Sequence, residues 1–128
     1  MALRPLSLLV LEGTFAACRL GPDDTVPAWA STGSFFSITR TPDELSVVSP
    51  KSSVPKGVHC EGGWRCLRVA GAMDFSQVGI LASLVGPLAE DGLSVFALST
   101  FDTDYLLVKE ADFEKATTVL RQAGHTIN

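Results

Sequence analysis

One stretch in the second half of the chain carries apolar residues at a helical period. Between residues 80 and 88 they recur at three- and four-residue spacing, which predicts an amphipathic helix with one apolar face. Asp74 and Gln77 precede this stretch with the spacing of a capping box, and Gly92 follows it as a terminator. We therefore predict a helix that Asp74 caps and Gly92 ends.

The residues after this helix predict a β-hairpin, because two short apolar runs flank the turn-forming segment 101–104. A strand before the helix, a second helix capped by Asp112 and a last strand complete the C-terminal half. The four predicted strands cover 64–72, 93–99, 105–108 and 125–127. With the helices they follow the βαββαβ order of a ferredoxin-like fold, an α+β sandwich with both helices on one face of the sheet.

The N-terminal half resembles a degenerate copy of the same plan. Residues 6–11 are apolar on both faces, which predicts a central strand. A loop at 21–34 takes the place of the helix that should follow, and a helical turn at 41–44 joins two later strands. The further strands predicted in this half cover 14–20, 35–39 and 46–49.

The boundary between the halves is predicted from composition. Residues 50–63 are rich in Pro, Gly, Ser and Lys, as interdomain links are. We therefore expect a degenerate half at 1–60 and a complete domain at 61–128. The whole chain is 46% hydrophobic and 19% charged, which is typical of a compact folded domain.

Charge and cysteine usage exclude several classes of partner. The ten Lys and Arg residues are dispersed and the net charge is −4, so we expect no nucleic-acid binding. No run approaches the roughly 18 apolar residues of a membrane span, so we expect no membrane association. The three cysteines are odd in number and lack zinc or redox spacing, which favours reduced, packing thiols in a cytoplasmic protein.

The sequence lacks the residue patterns of common catalytic sites. Its two histidines lie in the predicted link and at the chain end, which leaves little for a Ser-His-Asp or Cys-His arrangement. No phosphate-binding glycine loop, dinucleotide motif or metal-ligand spacing occurs. We therefore predict no catalysis, no cofactor and no metal.

Three features suit the binding of a small polar ligand. The predicted helix start at Asp74–Gly79 offers free amides and a positive dipole end, where a carboxylate would bind, and its last glycine allows close approach to the backbone. Asp102 and Asp104 in the hairpin turn could pair with an ammonium or guanidinium group. Ser94–Val95 begins a strand whose backbone is free to bond if it lies at a sheet edge.

Each feature also has a purely structural interpretation. Asp74 could satisfy the helix amides itself, and Gly79 could only permit close packing. Asp102 and Asp104 could both be solvated turn residues. The residue pattern alone leaves these alternatives open.

Four segments together resemble the ACT-domain subgroup of the CASTOR proteins and small stand-alone bacterial ACT proteins. The most specific pieces are the FFS-T-TP-E turn, the VGIL…GPLA…G helix and the STF-TD-LV hairpin. The resemblance covers most residues from 34 to 117, in the segments 35–48, 63–71, 75–108 and 110–116.

The resemblance implies two tandem ACT-like halves and an amino acid or related zwitterion held between two ACT modules. Asp104 would pair with the cationic end of that ligand. The implied ligand-binding residues are Asp74, Gln77, Thr100, Phe101 and Asp104 on one face, with Ser94 and Val95 on the opposing face. Since CASTOR chains carry two copies of this unit and this chain carries one, a homodimer is expected to complete the site.

The leading hypothesis is therefore a regulatory, amino-acid-binding ACT protein without catalytic activity, with a regulated enzyme as a further partner. The alternative hypothesis is a protein–protein interaction module that has lost its ligand and uses the same helix and sheet edge to dimerise or to dock on a metabolic enzyme.

Overall fold

The computed structural model describes residues 5–70 and 79–128. Within these ranges, the helices are α1 (Ile80–Glu90) and α2 (Phe113–Gln122). The strands are β1 (Ser7–Val10), β2 (Phe15–Leu20), β3 (Ser37–Arg40), β4 (Leu45–Pro50), β5 (Cys60–Val69), β6 (Val95–Ser99), β7 (Asp104–Lys109) and β8 (Thr126–Ile127).

Residue contacts divide the chain into two compact units. The large unit consists of Met1–Glu12 with Arg65–Asn128, and the small unit is Gly13–Trp64. Strand β5 contributes its first residues to the small unit and its last to the large one. The division at 60 and 61 that we predict from composition stays a prediction, although β1 shares contacts with C-terminal residues.

The large unit contains the predicted βαββαβ sequence of a ferredoxin-like fold, β5-α1-β6-β7-α2-β8. Its strands pair in the order β8-β1-β5-β7-β6. Strand β1 thus lies between the first and last strands of the motif, antiparallel to β5 and parallel to β8. The prediction that β1 is a central strand is confirmed, since it has a neighbour on each side.

Both helices of the large unit pack on the sheet through one apolar cluster. Alternate residues of β5 and β7 point into it because side chains on a strand alternate between faces. Leu84 and Leu88 of α1 and Ala116 and Leu120 of α2 are fully buried there. The strands contribute Leu8, Leu67, Val69, Leu106, Val108 and Ile127.

Glycines set both ends of α1. Gly79 has φ +81° and is the N-cap, so the helix begins at Ile80. Asp74, the predicted cap, lies outside the described residues, and within them Gly79 holds the N-cap position. Gly92 ends α1 as predicted: with φ +76° it allows the Gly92 and Leu93 amides to donate to the Ala89 and Leu88 carbonyls.

A buried histidine compensates for a proline inside α1. Pro87 has no N–H, so it leaves the Ser83 carbonyl, one turn earlier, without its helical donor. His125 Nε2 lies 3.1 Å from that carbonyl, and His125 Nδ1 accepts the Leu6 amide at 3.1 Å. The neutral tautomer with the proton on Nε2 satisfies both bonds. His125 is 6% exposed and ties β1, α1 and the residues before β8 together.

The small unit is an antiparallel arrangement in the order β3-β4-β2-β5. Its core contains Ala16, Cys18, Ala30, Leu45 and Val47. The predicted loop at 21–34 is present, with a short 3₁₀ turn at Ala28–Ser31. The helical turn predicted at 41–44 is wrong: the Thr41 amide donates to the Glu44 carbonyl, which closes a tight hairpin between β3 and β4.

Candidate functional site

The turn between β6 and β7 is closed by hydrogen bonds between two threonines. The Thr100 amide donates to the Thr103 carbonyl at 2.8 Å, and the Thr100 hydroxyl donates to the same carbonyl at 3.1 Å. The Thr103 amide donates back to the Thr100 hydroxyl oxygen at 3.2 Å. This reciprocal bonding fixes the conformation of the turn that the sequence predicts at this position.

Thr103 also anchors the turn to the neighbouring strand. Its hydroxyl donates to the Val69 carbonyl at 2.7 Å, and the residue is 4% exposed. Val69 is the last residue of β5, so the tip of the hairpin is held at the end of that strand. This role is not predictable from the local sequence, because the contact joins residues far apart in the chain.

Asp104 is a buried carboxylate with one hydrogen-bond donor among the described residues. It is 9% exposed and begins β7. The Ser99 hydroxyl donates to its Oδ1 at 2.6 Å. An ionised carboxylate can accept about four hydrogen bonds, so the described residues use only part of that capacity. A buried charge in this situation favours a cationic partner.

Ser99 is a functional candidate that the sequence reasoning does not identify. It pairs directly with Asp104 across the two strands. The signal was available in the sequence: the residues that flank a hairpin turn face each other, and here both are polar.

The two aspartates of the turn differ in their surroundings. Asp102 is exposed, whereas Asp104 is buried. The interpretation of both as solvated turn residues is therefore wrong for Asp104, because its side chain faces Ser99 rather than water. Phe101, at the tip, is 80% exposed.

The described part of the helix start is Gly79, since Asp74 and Gln77 lie outside the described residues. The positive φ of Gly79 is a structural reason for glycine at this position, whether or not a ligand approaches it. Its carbonyl accepts the Ser83 amide at 2.9 Å, which forms the first bond of the helix.

Ser94 and Val95 lie at the end of β6 that is remote from Asp104. The register pairs Val95 with Val108 and Ser99 with Asp104. At roughly 3.3 Å per residue, Ser94 lies about 16 Å along the strand from Ser99. A single chain therefore does not bring the two predicted faces of the ligand site together.

Alternate backbone groups of β6 point away from β7. The bond from the Thr100 amide to the Thr103 carbonyl makes the Ser99 pair a non-hydrogen-bonded one, and this alternation continues along the strand. The amides and carbonyls of Val95, Ala97 and Ser99 thus face outward. Within residues 5–70 and 79–128, β7 is the only strand with which β6 pairs.

Metal binding and membrane insertion each require a particular arrangement of residues. Within the part of the chain that the structure describes, no group of three or more His, Cys, Asp or Glu side chains is arranged to hold a metal ion. Neither α1 nor α2, the helices described, is long and apolar enough to cross a membrane.

Comparison with protein families identifies the fold. A sequence model of the ACT domain matches residues 59–122. The chain belongs to the ACT-domain family. A second model, described as an N-terminal domain, matches residues 13–57. The ferredoxin-like ACT fold predicted from the sequence is thereby confirmed.

The ACT-domain protein is of CASTOR type. It is 33% identical to human CASTOR3P over 99 residues, which cover 67% of this chain and 61% of that protein. It is 37% identical over 99 residues to the human cytosolic arginine sensor for mTORC1 subunit 1, covering 69% of this chain and 30% of the sensor. The chain thus spans less than two thirds of the length of these relatives.

Solved structures resemble it over nearly the whole chain. The crystal structure of protein Atu0741 from Agobacterium tumefaciens superimposes with a TM-score of 0.94 at 40% identity, covering 98% of this chain and 94% of that one. The regulatory subunit of aspartate kinase from Thermus thermophilus has a TM-score of 0.60 at 11% identity, covering 88% and 93%. At 11% identity, the similarity to the aspartate kinase subunit shows a shared fold and nothing more.

Proposed function

We propose that this ACT-domain protein is a cytoplasmic regulatory protein that binds an amino acid or a related small zwitterion and catalyses no reaction. The observation that carries the proposal is Asp104, a buried carboxylate that accepts one hydroxyl donor from the described residues and lies at the start of β7. The ammonium or guanidinium group of the ligand pairs with this carboxylate. Thr100 and Phe101 form the wall of the site beside it.

The carboxylate end of the ligand binds at the start of α1. The first-turn amides of a helix have no intrahelical acceptor, and the helix dipole adds a partial positive charge there. Gly79 lets the ligand approach these amides without a side chain in the way. Asp74 and Gln77 are assigned to this end by their positions in the segment that resembles the CASTOR helix-start loop, where Asp74 replaces a glycine.

The proposed homodimer brings Ser94 and Val95 of the partner subunit close to the turn that contains Asp104. If two copies pair antiparallel along β6 about Ala97, the outward amides and carbonyls of one strand meet those of the other. Val95 of the partner subunit then lies opposite Ser99, and the partner subunit's Ser94 lies opposite Thr100. This pairing closes the 16 Å gap, estimated from the strand rise, that separates the two faces within one chain.

The names of the relatives support the same assignment. One is a cytosolic arginine sensor, and a structure of the same fold is a regulatory subunit of aspartate kinase. A sensor of this kind transmits its ligand state to a partner, so a regulated enzyme is the proposed downstream target.

A thermal-shift panel of the twenty amino acids tests the function. A ligand at 100 times its dissociation constant stabilises the folded state by about 2.7 kcal/mol, which is a readily measured rise in Tm. We expect one amino acid, or a few of similar chemistry, to raise Tm. A flat panel would favour the alternative, an interaction module without a ligand.

Two matched variants test the site. Asp104→Asn removes the charge from the buried carboxylate while keeping its shape, and we expect it to abolish the ligand-dependent rise in Tm. Asp102→Asn removes an exposed charge from the same turn and should leave the rise unchanged. If both variants respond to the ligand like the wild type, the ligand binds elsewhere.

A further inference from the structure

Two cysteines that are far apart in the sequence lie opposite each other in the small unit. The register of β2 and β5 pairs Cys18 with Cys60. The adjacent pair is hydrogen-bonded, since the Arg19 amide donates to the His59 carbonyl at 2.9 Å. Because bonded and non-bonded pairs alternate in an antiparallel ladder, Cys18 and Cys60 form a non-bonded pair, in which the side chains are closest.

This geometry fits a disulfide bond. The Cα atoms of a non-bonded antiparallel pair are about 4.5 Å apart. Disulfides span Cα separations of about 4.4 to 6.8 Å, so the two cysteines need little movement of the backbone to join. Both side chains lie on the same face of the sheet, in or against the apolar cluster of the small unit.

The two thiols differ in access to solvent. Cys18 is 3% exposed, whereas Cys60 is only partly buried. Both line a cleft of about 230 Å³ together with Arg19, Glu44 and His59. A small oxidant therefore reaches Cys60 through the cleft. Cys18 lies next to Cys60 on the neighbouring strand.

We propose that Cys18 and Cys60 form a reversible disulfide when the protein meets hydrogen peroxide. The Cys60 thiolate attacks one peroxide oxygen, the O–O bond breaks, and the released hydroxide takes a proton to become water. The Cys18 sulfur then attacks the sulfur of the Cys60 sulfenic acid, and a second water leaves with the Cys18 proton. In sum, two thiols lose two electrons and one peroxide is reduced to two waters.

The protonation of Cys18 fits the order of these steps. Burial, and then the neighbouring Cys60 thiol with which it shares a hydrogen bond, raise the pKa of Cys18 to about 11. Cys18 is therefore a thiol at neutral pH, and it is also the less exposed of the two cysteines, so peroxide meets Cys60 first. It acts second, as the resolving cysteine.

The third cysteine provides a control within the same chain. Cys66 is fully buried, and burial raises its pKa to about 12. It belongs to the large unit, on the last part of β5. We expect it to stay reduced.

Alkylation followed by mass spectrometry tests the proposal on the full chain. The folded protein is treated with hydrogen peroxide and then alkylated in guanidinium chloride. We expect one alkylated thiol instead of three, a mass before alkylation that is lower by two hydrogens, and a single cross-linked peptide pair containing Cys18 and Cys60. Dithiothreitol should restore three alkylated thiols.

Three cysteine variants distinguish a disulfide between Cys18 and Cys60 from other oxidation products. Cys66→Ala should still form the cross-link, while Cys60→Ser should form none. Cys18→Ser should leave a sulfenic acid on Cys60 that dimedone traps. Three alkylated thiols in the treated wild type would overturn the proposal, as would a disulfide between chains or sulfinic acid on Cys60 without a cross-link.

Discussion

The fold surrounds Asp102 and Asp104 differently, although both belong to one turn. Asp104 is paired with Ser99 across the hairpin and is buried, whereas Asp102 points outward. Turn propensity identifies the segment but not which carboxylate is enclosed, because enclosure depends on strand register and on the anchor from Thr103 to Val69. The sequence therefore predicts the position of the turn, and the structure shows that Asp104 is its buried carboxylate.

Burial of the Cys66 thiol makes the stability of the folded protein depend on pH in the alkaline range. In the unfolded chain its thiol ionises near pH 9, whereas burial raises its pKa to about 12 in the fold. The folded state therefore keeps a proton that the unfolded state releases. Stability from this group is complete below pH 9 and falls as the pH rises toward 12, by at most about 1.4 kcal/mol per pH unit.

We expect Cys66→Ala to flatten this fall. Guanidinium unfolding of the wild type and the variant at pH 7, 9 and 10.5 gives the two slopes, and other ionising groups cancel in their difference. The free energy of unfolding should decline less steeply with pH in the variant. Parallel declines would mean that the Cys66 thiol ionises alike in both states.

At the scale of elements, α1 depends on a residue that does not belong to it. Pro87 removes one helical hydrogen bond, and His125 Nε2 replaces it at the Ser83 carbonyl. Periodicity predicts the helix and its apolar face, and Gly92 predicts its end. The histidine contact is not predictable from local sequence, since it joins α1 to a residue beyond α2.

A double-mutant cycle tests this compensation. His125→Phe keeps a ring of similar size but leaves the Ser83 carbonyl and the Leu6 amide unpaired, at a cost of about 1 to 3 kcal/mol each. Pro87→Ala supplies a helical amide for the Ser83 carbonyl. We therefore expect His125→Phe to cost about 1 kcal/mol less in the Pro87→Ala background.

Urea unfolding of the four proteins measures the coupling. Equal costs of His125→Phe in both backgrounds would show that the amide at position 87 does not substitute for the imidazole. The Thr118→Val variant, on an exposed position of α2, serves as a control for general changes in helix stability.

At the scale of the molecule, the sequence predicts the βαββαβ order but not the position of β1. Apolar residues on both faces of β1 indicate a central strand, and this is correct. Nothing in the local pattern says which strands flank it. Its neighbours β5 and β8 are distant in sequence, so pairing is decided by the folded sheet rather than by propensity.

The proposed homodimer forms through the edge of β6 that faces away from β7. Ala97→Pro removes the central outward amide of β6 and leaves the bonds to β7 in place, because proline is tolerated where the N–H faces away from the neighbouring strand. Sedimentation equilibrium should show a dimer for the wild type and a weaker dimer, by at least about tenfold in Kd, for the variant. An unchanged Kd with an unchanged circular dichroism spectrum would place the interface elsewhere.

In the function we propose, the buried Asp104 carboxylate pairs with the cationic group of the ligand. Titration calorimetry tests it directly with the amino acid that raises Tm and an analogue lacking that cation, each measured on the wild type and on Asp104→Asn. We predict that the wild type prefers the amino acid over the analogue by at least about tenfold, a difference of about 1.4 kcal/mol, and that Asp104→Asn binds the two alike. An equal preference in both proteins would contradict the pairing.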